Sequence, residues 1–536
     1  YKLYIFHNSV SDMKWIKYLI ILQLFNTLFC QPGNLISYEH KISASSSDIQ
    51  WLVDLALGNN APDALYDMSM YSIEYEIEDP RGFIDTLSGL VSFPVDHTKS
   101  FPIASYQHGT TIVDDNVPSV TGMSISNQEV SLISMIMSSS GYIIILPDYA
   151  GLGSSGGYHP YIIAETYTPA ITNMIRAVKQ MSGELATDNS FMYNNQLYLL
   201  GYSEGGYATM AAQRDIEYSM VSEFNLTASF PMAGPYDLSG TMVDFYLSIN
   251  YYPQPYYVAN VLFNHLDYYD NLGNLADYFL PFWADTLAGL FDGTHSGTFI
   301  NSLMPENPIE ILLPDVIDDF TVNNENLFRL TLEENTLLDW TPITPTYLMH
   351  AIGDDIIPIA NAQVAYNSFI NNGAESVNLI EIPLSAGGHE DAAPVCLLEA
   401  FDTISTYQII NVKGDTNLDG LLNDIDYEAN FFFLPFKRLD TKLGWNAEAN
   451  SLRAHYAKIE NGNVFSISGE GIVEFELSIY NRWGKKIYHW NELEGYWDGR
   501  GYNGEFLPDG VYFFNMEAVG ENGNAYIEKG SITLIR

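Results

Sequence analysis

Short, apolar, β-rich runs recur along residues 42–410, and they constrain the fold more than any other feature. FPIASY (101–106), YIIILP (142–147), LYLL (197–200), TASFPM (227–232), TYLMH (346–350) and VNLIEI (377–382) alternate with helix-patterned stretches such as AETYTPAITNMIRAVKQM (164–181). A strand that is apolar throughout needs cover on both faces, and amphipathic helices between strands supply it. The pattern predicts an α/β domain over residues 42–410, with a mostly parallel sheet and helices on both sides. One interval breaks the alternation. Between TASFPM and TYLMH lie YYPQPYYV (251–258) and YYDNLGNLADYFLPFWADTLAGLF (268–291). The interval is too long for a loop. It predicts an inserted helical cap, about 241–340, whose aromatics line an apolar pocket or form the cap's own core.

The texture changes after residue 411. GDTNLDGLLNDIDYEAN (414–430) is rich in Asp and Asn, whereas IVEFELSIYNRWGKKIYHW and VYFFNMEAVG alternate with a period of two between Gly, Asp and Asn turns. The predicted organisation is a linker at 411–434 followed by a small antiparallel β-sandwich domain at 435–536. In the linker, Asp415, Asn417, Asp419, Asn423 and Asp426 place oxygen ligands at loop positions 1, 3, 5, 9 and 12. Gly420 supplies the bend at position 6 and the Leu421 carbonyl falls at 7, the pattern of a calcium loop. The expected ion is structural. The spacing resembles a dockerin repeat, without the second repeat that dockerins carry.

At the other end, MKWIKYLIILQLFNTLFCQPGN starts at Met13 with Lys14 and Lys17, continues as an apolar run and turns polar. This is the pattern of a secretory signal peptide, too short for a membrane span. Residues 1–30 are therefore read as N-terminal extension and signal, with cleavage near Cys30 or with Cys30 as a lipid anchor, and no transmembrane span is expected after its removal. The cysteines are Cys30 and Cys396, so loss of the signal leaves no pair for a disulfide. Lys and Arg number 22 against 66 Asp and Glu, a formal net charge of -44. Such a surface repels nucleic acid and anionic lipid headgroups. The 536 residues, 47% of them hydrophobic, suffice for more than one buried core.

The chain carries G-x-S-x-G twice, at Gly201–Gly205 and at Gly153–Gly157. Context separates them, because the chemistry requires the serine on a strained turn from strand to helix. Ser203 follows LYLL and precedes the helix-compatible YATMAAQRDIEYSM, whereas Ser155 is followed by YHPY. Ser203 is the predicted nucleophile; otherwise it is a helix N-cap. A serine needs a base and the base needs an orienting acid, in the chain order Ser, acid, His, each just after a strand. AIGDDIIPI after TYLMH offers Asp354 or Asp355, and PLSAGGHEDAAP after VNLIEI offers His389, with Asp391 a distant alternative acid. The Glu204 amide is expected to donate to the oxyanion, with a second donor from QHGT (107–110): Thr110 first, Gly109 second. His108 precedes the serine and is read as a structural turn residue.

QHGT, LPDYAGLGSSGGYHPYIIAET, LYLLGYSEGGYATMAAQ, FPMAGPYDLSGTM and MHAIGDDIIPI resemble, in order and over most of residues 70–410, the bacterial branch of the secretory lipase family of α/β-hydrolases. Lining up His350 and Pro358 with the family's H-G-x-x-D-x-x-V-P segment implies Asp354 as the acid, although Ala351 stands at the usual glycine. The resemblance implies hydrolysis of carboxylic esters, from short acyl esters to triacylglycerols, without a catalytic cofactor. Some relatives are labelled prolyl-oligopeptidase-like, so a serine peptidase is the alternative; a non-catalytic surface adhesin on the same scaffold is a third. YNRWGKKIYHW, YWDGRGYNGEFLPDGVYFF and KGSITLIR resemble the gliding-motility-associated C-terminal domain of Bacteroidetes, the type B signal of type IX secretion. That implies handling by the type IX machinery and export to the medium or cell surface.

Overall fold

The structure is a computed structural model. It describes residues 32–412 except 125–126, 186–190 and 324, and the segments 441–442, 451–455, 465–470, 472–481, 485–492, 496–497, 499–501, 507, 510–520 and 525–534. The signal-peptide reading, Cys30 and the calcium-loop residues Asp415 to Asp426 lie outside the described residues. The chain divides into two compact units between Leu421 and Leu422.

The first unit is built on one sheet with the order β1-β2-β3-β5-β4-β6-β7-β8-β9. Strands β4 (Lys99–Gln107), β5 (Ile143–Pro147), β6 (Tyr193–Tyr202), β7 (Leu226–Met232), β8 (Thr346–Ala351) and β9 (Val377–Ile382) run parallel. These are the apolar runs of the sequence. Successive residues face opposite sides, as the strand period requires. Ile143, Ile145, Leu197 and Leu199 enter one core, and Ile144, Leu146, Tyr198 and Leu200 enter the other. Sequence reasoning did not pick out β1 (Leu35–Ala44), β2 (Met68–Glu78) and β3 (Ile84–Pro94), which add an antiparallel flank. The two residues of β10 (Asn411–Val412) pair antiparallel with β4.

Helices cover both faces. α1 (Ser46–Leu57) and α2 (Gln128–Ser139) lie on the side of the second core. The Asn127 side chain caps α2 by accepting from the Val130 amide. α3 (Ala164–Glu184) and α4 (Glu204–Ser219) cover the first core, where Ala208, Ala211 and Ala212 bring α4 close to the sheet. Between β7 and β8 the chain builds a helical cap with α5 (Tyr256–Tyr268), α6 (Pro281–Leu290), α7 (Pro314–Val322) and α8 (Leu327–Glu334). α9 (Ala360–Asn371) follows β8, and α10 (His389–Ser405) follows β9. α10 presents Ala392, Cys396, Ala400 and Ile404 to the second core, one helical turn apart.

Among the described residues the second unit contains two four-stranded antiparallel sheets: β11 (Thr441–Lys442), β12 (Ser451–His455), β13 (Phe465–Glu470) and β16 (Tyr496–Trp497) in one, and β15 (Lys486–Trp490), β14 (Ile472–Tyr480), β17 (Gly510–Gly520) and β18 (Ala525–Leu534), in the order β15-β14-β17-β18, in the other. Alternate residues of β14 and β17 form its core: Phe475, Leu477 and Ile479 from one, Tyr512, Phe514 and Met516 from the other. Trp497 packs edge-on against Tyr512. Among the described residues no helix is long and apolar enough to cross a membrane.

Candidate active site

Ser203 stands where β6 ends and α4 begins, with φ 62° and ψ −123°. A residue with a Cβ is strained there and stays only where its surroundings fix it. The Ser203 amide donates to the Met232 carbonyl at 2.9 Å, tying the turn to β7, and the Tyr207 amide donates back to the Ser203 carbonyl at 3.2 Å. Glycines make the turn possible. A Cβ at position 205 would overlap the Gln107 carbonyl oxygen at the end of β4, and one at 206 would overlap the Met232 carbonyl at the end of β7. The first turn of α4 therefore sits in a notch between the two strands that flank β6. Ser203 is buried to 8% exposure.

His389 begins α10 and is the base candidate that reaches it. Its Nε2 lies 2.8 Å from Ser203 Oγ and its Nδ1 lies 2.6 Å from Asp354 Oδ2. A carboxylate only accepts, so Nδ1 carries the proton and Nε2 is left to accept from the serine hydroxyl. Asp354 occupies the turn after β8, where its Oδ1 accepts from the Ile356 and Ile357 amides at 3.0 and 2.8 Å. Its Oδ2 also lies 3.2 Å from His350 Nε2. Burial alone would push the Asp354 carboxyl up. Hydrogen bonds from His350 and His389, with their charge, outweigh it and hold the carboxyl well below the usual carboxylate range.

Asp355, the alternative acid, does other work. Its Oδ1 accepts from the His389 backbone amide at 3.0 Å, while the Tyr202 hydroxyl donates to the His389 carbonyl at 2.6 Å. Gly388, the N-cap of α10, has no capping side chain of its own, so Asp355 supplies the cap from a neighbouring loop. Asp391 lies exposed on the first turn of α10.

The Glu204 amide is the first of α4, among those with no partner inside a helix. Its side chain is buried at 1% exposure. Glu204 Oε1 accepts from the Tyr167 hydroxyl at 2.9 Å and lies 2.6 Å from His159 Nε2, whose Nδ1 faces the Ala150 carbonyl at 2.8 Å. Nδ1 thus carries a proton, and Glu204 and Nε2 share another. Sequence reasoning used only the backbone of Glu204 and missed this pair, which has no local signature. Of the second-donor candidates, the Gly109 amide is engaged by Glu129 Oε1 at 3.1 Å, and Thr110 bonds its Oγ1 to the Tyr161 hydroxyl at 3.0 Å. His108 stacks on Tyr149. The second G-x-S-x-G serine, Ser155, bonds to Asp85 Oδ2 at 2.5 Å and accepts from the Gly151 amide. The Cys396 thiol is fully buried, and burial pushes it up to about 12, which removes it as a nucleophile.

Two cavities meet at Ser203. One lies under the cap, about 1090 Å³ with its mouth, and among the described residues its walls carry no acidic or basic side chain. The other, about 1360 Å³, is a groove between α2 and α10 that also exposes Gly109, Thr110 and His389.

With this geometry in view, known proteins give a consistent picture. A secretory lipase family model matches residues 116–219, and a CHU_C type IX secretion signal domain model matches residues 459–534. No curated protein sequence matches the chain. Among solved structures, the chain is similar to a candidate hydrolase from Legionella pneumophila, with 26% identity and a TM-score of 0.63 over 70% of this chain and 98% of that one. It is likewise similar to the rice cell wall degrading esterase LipA from Xanthomonas oryzae, with 26% identity and a TM-score of 0.60 over 70% and 100%. Candida antarctica lipase A, at 19% identity and a TM-score of 0.53 over 70% and 82%, shares the fold. The first unit has the α/β-hydrolase fold, as the sequence resemblance implied. The matches support a secreted hydrolase.

Two measurements check this geometry. Gly205→Ala, forced against the Gln107 carbonyl, is expected to lose about 1–3 kcal/mol, read as a melting temperature lower by several degrees. For Asp354, the folded carboxyl titrates below its ordinary value of about 3.9. Its contribution is full above that pH and is lost as pH falls through the folded value. The stability gap between wild type and Asp354→Asn is therefore widest above about pH 5 and shrinks on acidification; a gap that widens toward acid would contradict the assignment.

Proposed function

We propose that the chain is an exported serine carboxylic ester hydrolase, a lipase or esterase, working through Ser203, His389 and Asp354. The observation that carries the proposal is the unbroken line from Ser203 Oγ to His389 Nε2 at 2.8 Å and from His389 Nδ1 to Asp354 Oδ2 at 2.6 Å. An apolar cavity opens on the same serine. Oγ attacks the ester carbonyl as His389 Nε2 takes its proton. Asp354 holds the ring in the required tautomer and stabilises the imidazolium. The amides of Glu204 and Thr110 are the proposed oxyanion donors, with Gly109 set back because Glu129 engages its amide. One such donor is worth about 2.7–4 kcal/mol in the transition state. His389 then protonates the departing alcohol, and water, activated by the same ring, releases the acid from the acyl-enzyme.

The cap cavity favours esters over peptides. Its lining includes Leu238, Met242, Val258, Leu262, Phe320 and Phe328, with no charged side chain to meet a peptide's terminus or backbone. An acyl chain is the occupant such walls accept. The CHU_C match supports delivery by the type IX machinery to the medium or cell surface. The likeness to a cell wall degrading esterase supports an extracellular ester as substrate.

On p-nitrophenyl esters, Ser203→Ala and His389→Ala are each expected to lower kcat by about 10⁴-fold or more, and Asp354→Asn by about 10³–10⁴-fold. A fluorophosphonate probe should label wild type and not Ser203→Ala. Turnover confined to peptide p-nitroanilides would replace the esterase reading with a peptidase, and an unlabelled wild type would replace both with a non-catalytic scaffold.

A further inference from the structure

We infer that the groove between α2 and α10 is a second substrate site, which receives the alcohol half of the ester and selects uncharged, apolar alcohols. The inference rests on the esterase reading and deepens it. Ser203 and Tyr257 line both cavities, so an ester centred on Ser203 has one arm on each side of the Tyr257 ring. His389 decides which arm goes where. As Oγ bonds to the carbonyl carbon, its proton passes to His389 Nε2. When the carbon–oxygen bond to the alcohol breaks, that proton goes to the departing oxygen, which must then lie beside Nε2. His389 lines the α2/α10 groove and is absent from the walls of the cap cavity. The leaving alcohol therefore lies in the groove, and the acyl chain lies under the cap.

The groove's chemistry describes its occupant. Leu132, Ile133 and Ile136 from α2 face Ala393, Leu397 and Phe401 from α10. This is enough apolar wall for an extended alkyl or aryl alcohol. Its polar end is acidic: Glu129 and Glu390 stand beside the reaction centre, and Glu129 is held there by the Tyr106 hydroxyl at 2.5 Å and the Gly109 amide. Two carboxylates in that position raise the energy of any alcohol that carries a phosphate or carboxylate. The substrate class is thus an ester apolar on both sides, such as a neutral acylglycerol or a fatty alcohol ester.

Octyl acetate and ethyl octanoate are isomers that place the long chain on opposite arms, and they separate the two sites. Leu132→Trp and Leu397→Trp fill the groove from facing helices. Each is expected to lower kcat/KM for octyl acetate about tenfold or more while ethyl octanoate changes little. Leu262→Trp, in the cap cavity, should give the reverse. 4-Acetoxybutanoate, whose carboxylate lies within a few bonds of the ester oxygen and so beside Glu129 and Glu390, should turn over at least about tenfold more slowly than its neutral methyl ester. Fluorophosphonate labelling at the wild-type rate shows that each variant retains an assembled site. The inference is overturned if labelled groove variants lose both esters equally or spare octyl acetate, or if the anionic ester matches the neutral one. Absence of labelling together with no turnover of either ester in the wild type sinks the esterase reading itself, and this inference with it.

Discussion

The arrangement depends on a steric constraint: the first turn of α4 must come close enough to β4 and β7 for backbone to touch backbone. Gly205 against Gln107 and Gly206 against Met232 allow it, and a side chain at either position would push the helix out of its notch. With the helix seated, Ser203 takes up the positive-φ turn, φ 62° and ψ −123°. The strain is local and its compensation is distributed, through the bond from the Ser203 amide to Met232 and the alanine-rich contact of α4 with the sheet. A turn stiffened in this way keeps Oγ in place, whereas a serine on a relaxed loop would sample many positions.

His389 is fixed by the opposite strategy. It is not strained into place but held by three residues from two other parts of the chain. Asp354 accepts from the ring Nδ1–H, Asp355 accepts from the backbone amide and the Tyr202 hydroxyl donates to the carbonyl. Tyr202 directly precedes Ser203, so the segment that carries the serine also steadies the imidazole. Asp354 is oriented by the Ile356 and Ile357 amides and by His350. Every hydrogen bond to its carboxylate favours the charged form, as the proposed role beside an imidazolium requires.

Which of these parts were legible in the sequence follows from how locally they are encoded. The parallel strands were visible because a strand buried on both faces is apolar at every position, and YIIILP is enclosed throughout. β1 escaped notice because LISYEHKISA is exposed along nearly all its length and carries no such run. Ser203 could be told from Ser155 because strand and helix adjoin only the first. Asp354 and Asp355 could not be separated by residue type or spacing, since adjacent carboxylates on one turn are equivalent until a fold points them apart. The resemblance to known sequences singled out Asp354; the structure shows that both reach His389, one at the ring and one at the backbone. The His159–Glu204 pair was invisible for a different reason. A buried acid and its partner lie far apart in the chain, and only the packing of the YHPY turn over α4 makes them neighbours.

Charge is divided as sharply as polarity. The chain carries a formal net charge of -44, yet among the described residues the walls of the cap cavity contain no acidic or basic side chain. An apolar cavity that opens to solvent is also a surface on which copies could associate, and a strongly acidic exterior opposes that association. The same division acts at the proposed reaction centre. On the cap side the medium has a low dielectric, which strengthens the attraction between the Asp354 carboxylate and a protonated His389. On the groove side Glu129 and Glu390 face the space that a departing alcohol would cross. A positive imidazolium is favoured by Asp354 and by these carboxylates, and the neutral alcohol that the proposed reaction releases into the groove is not repelled by them. The proposed chemistry thus lies at the boundary between an apolar interior and an acidic exterior, and both sides act on the same proton.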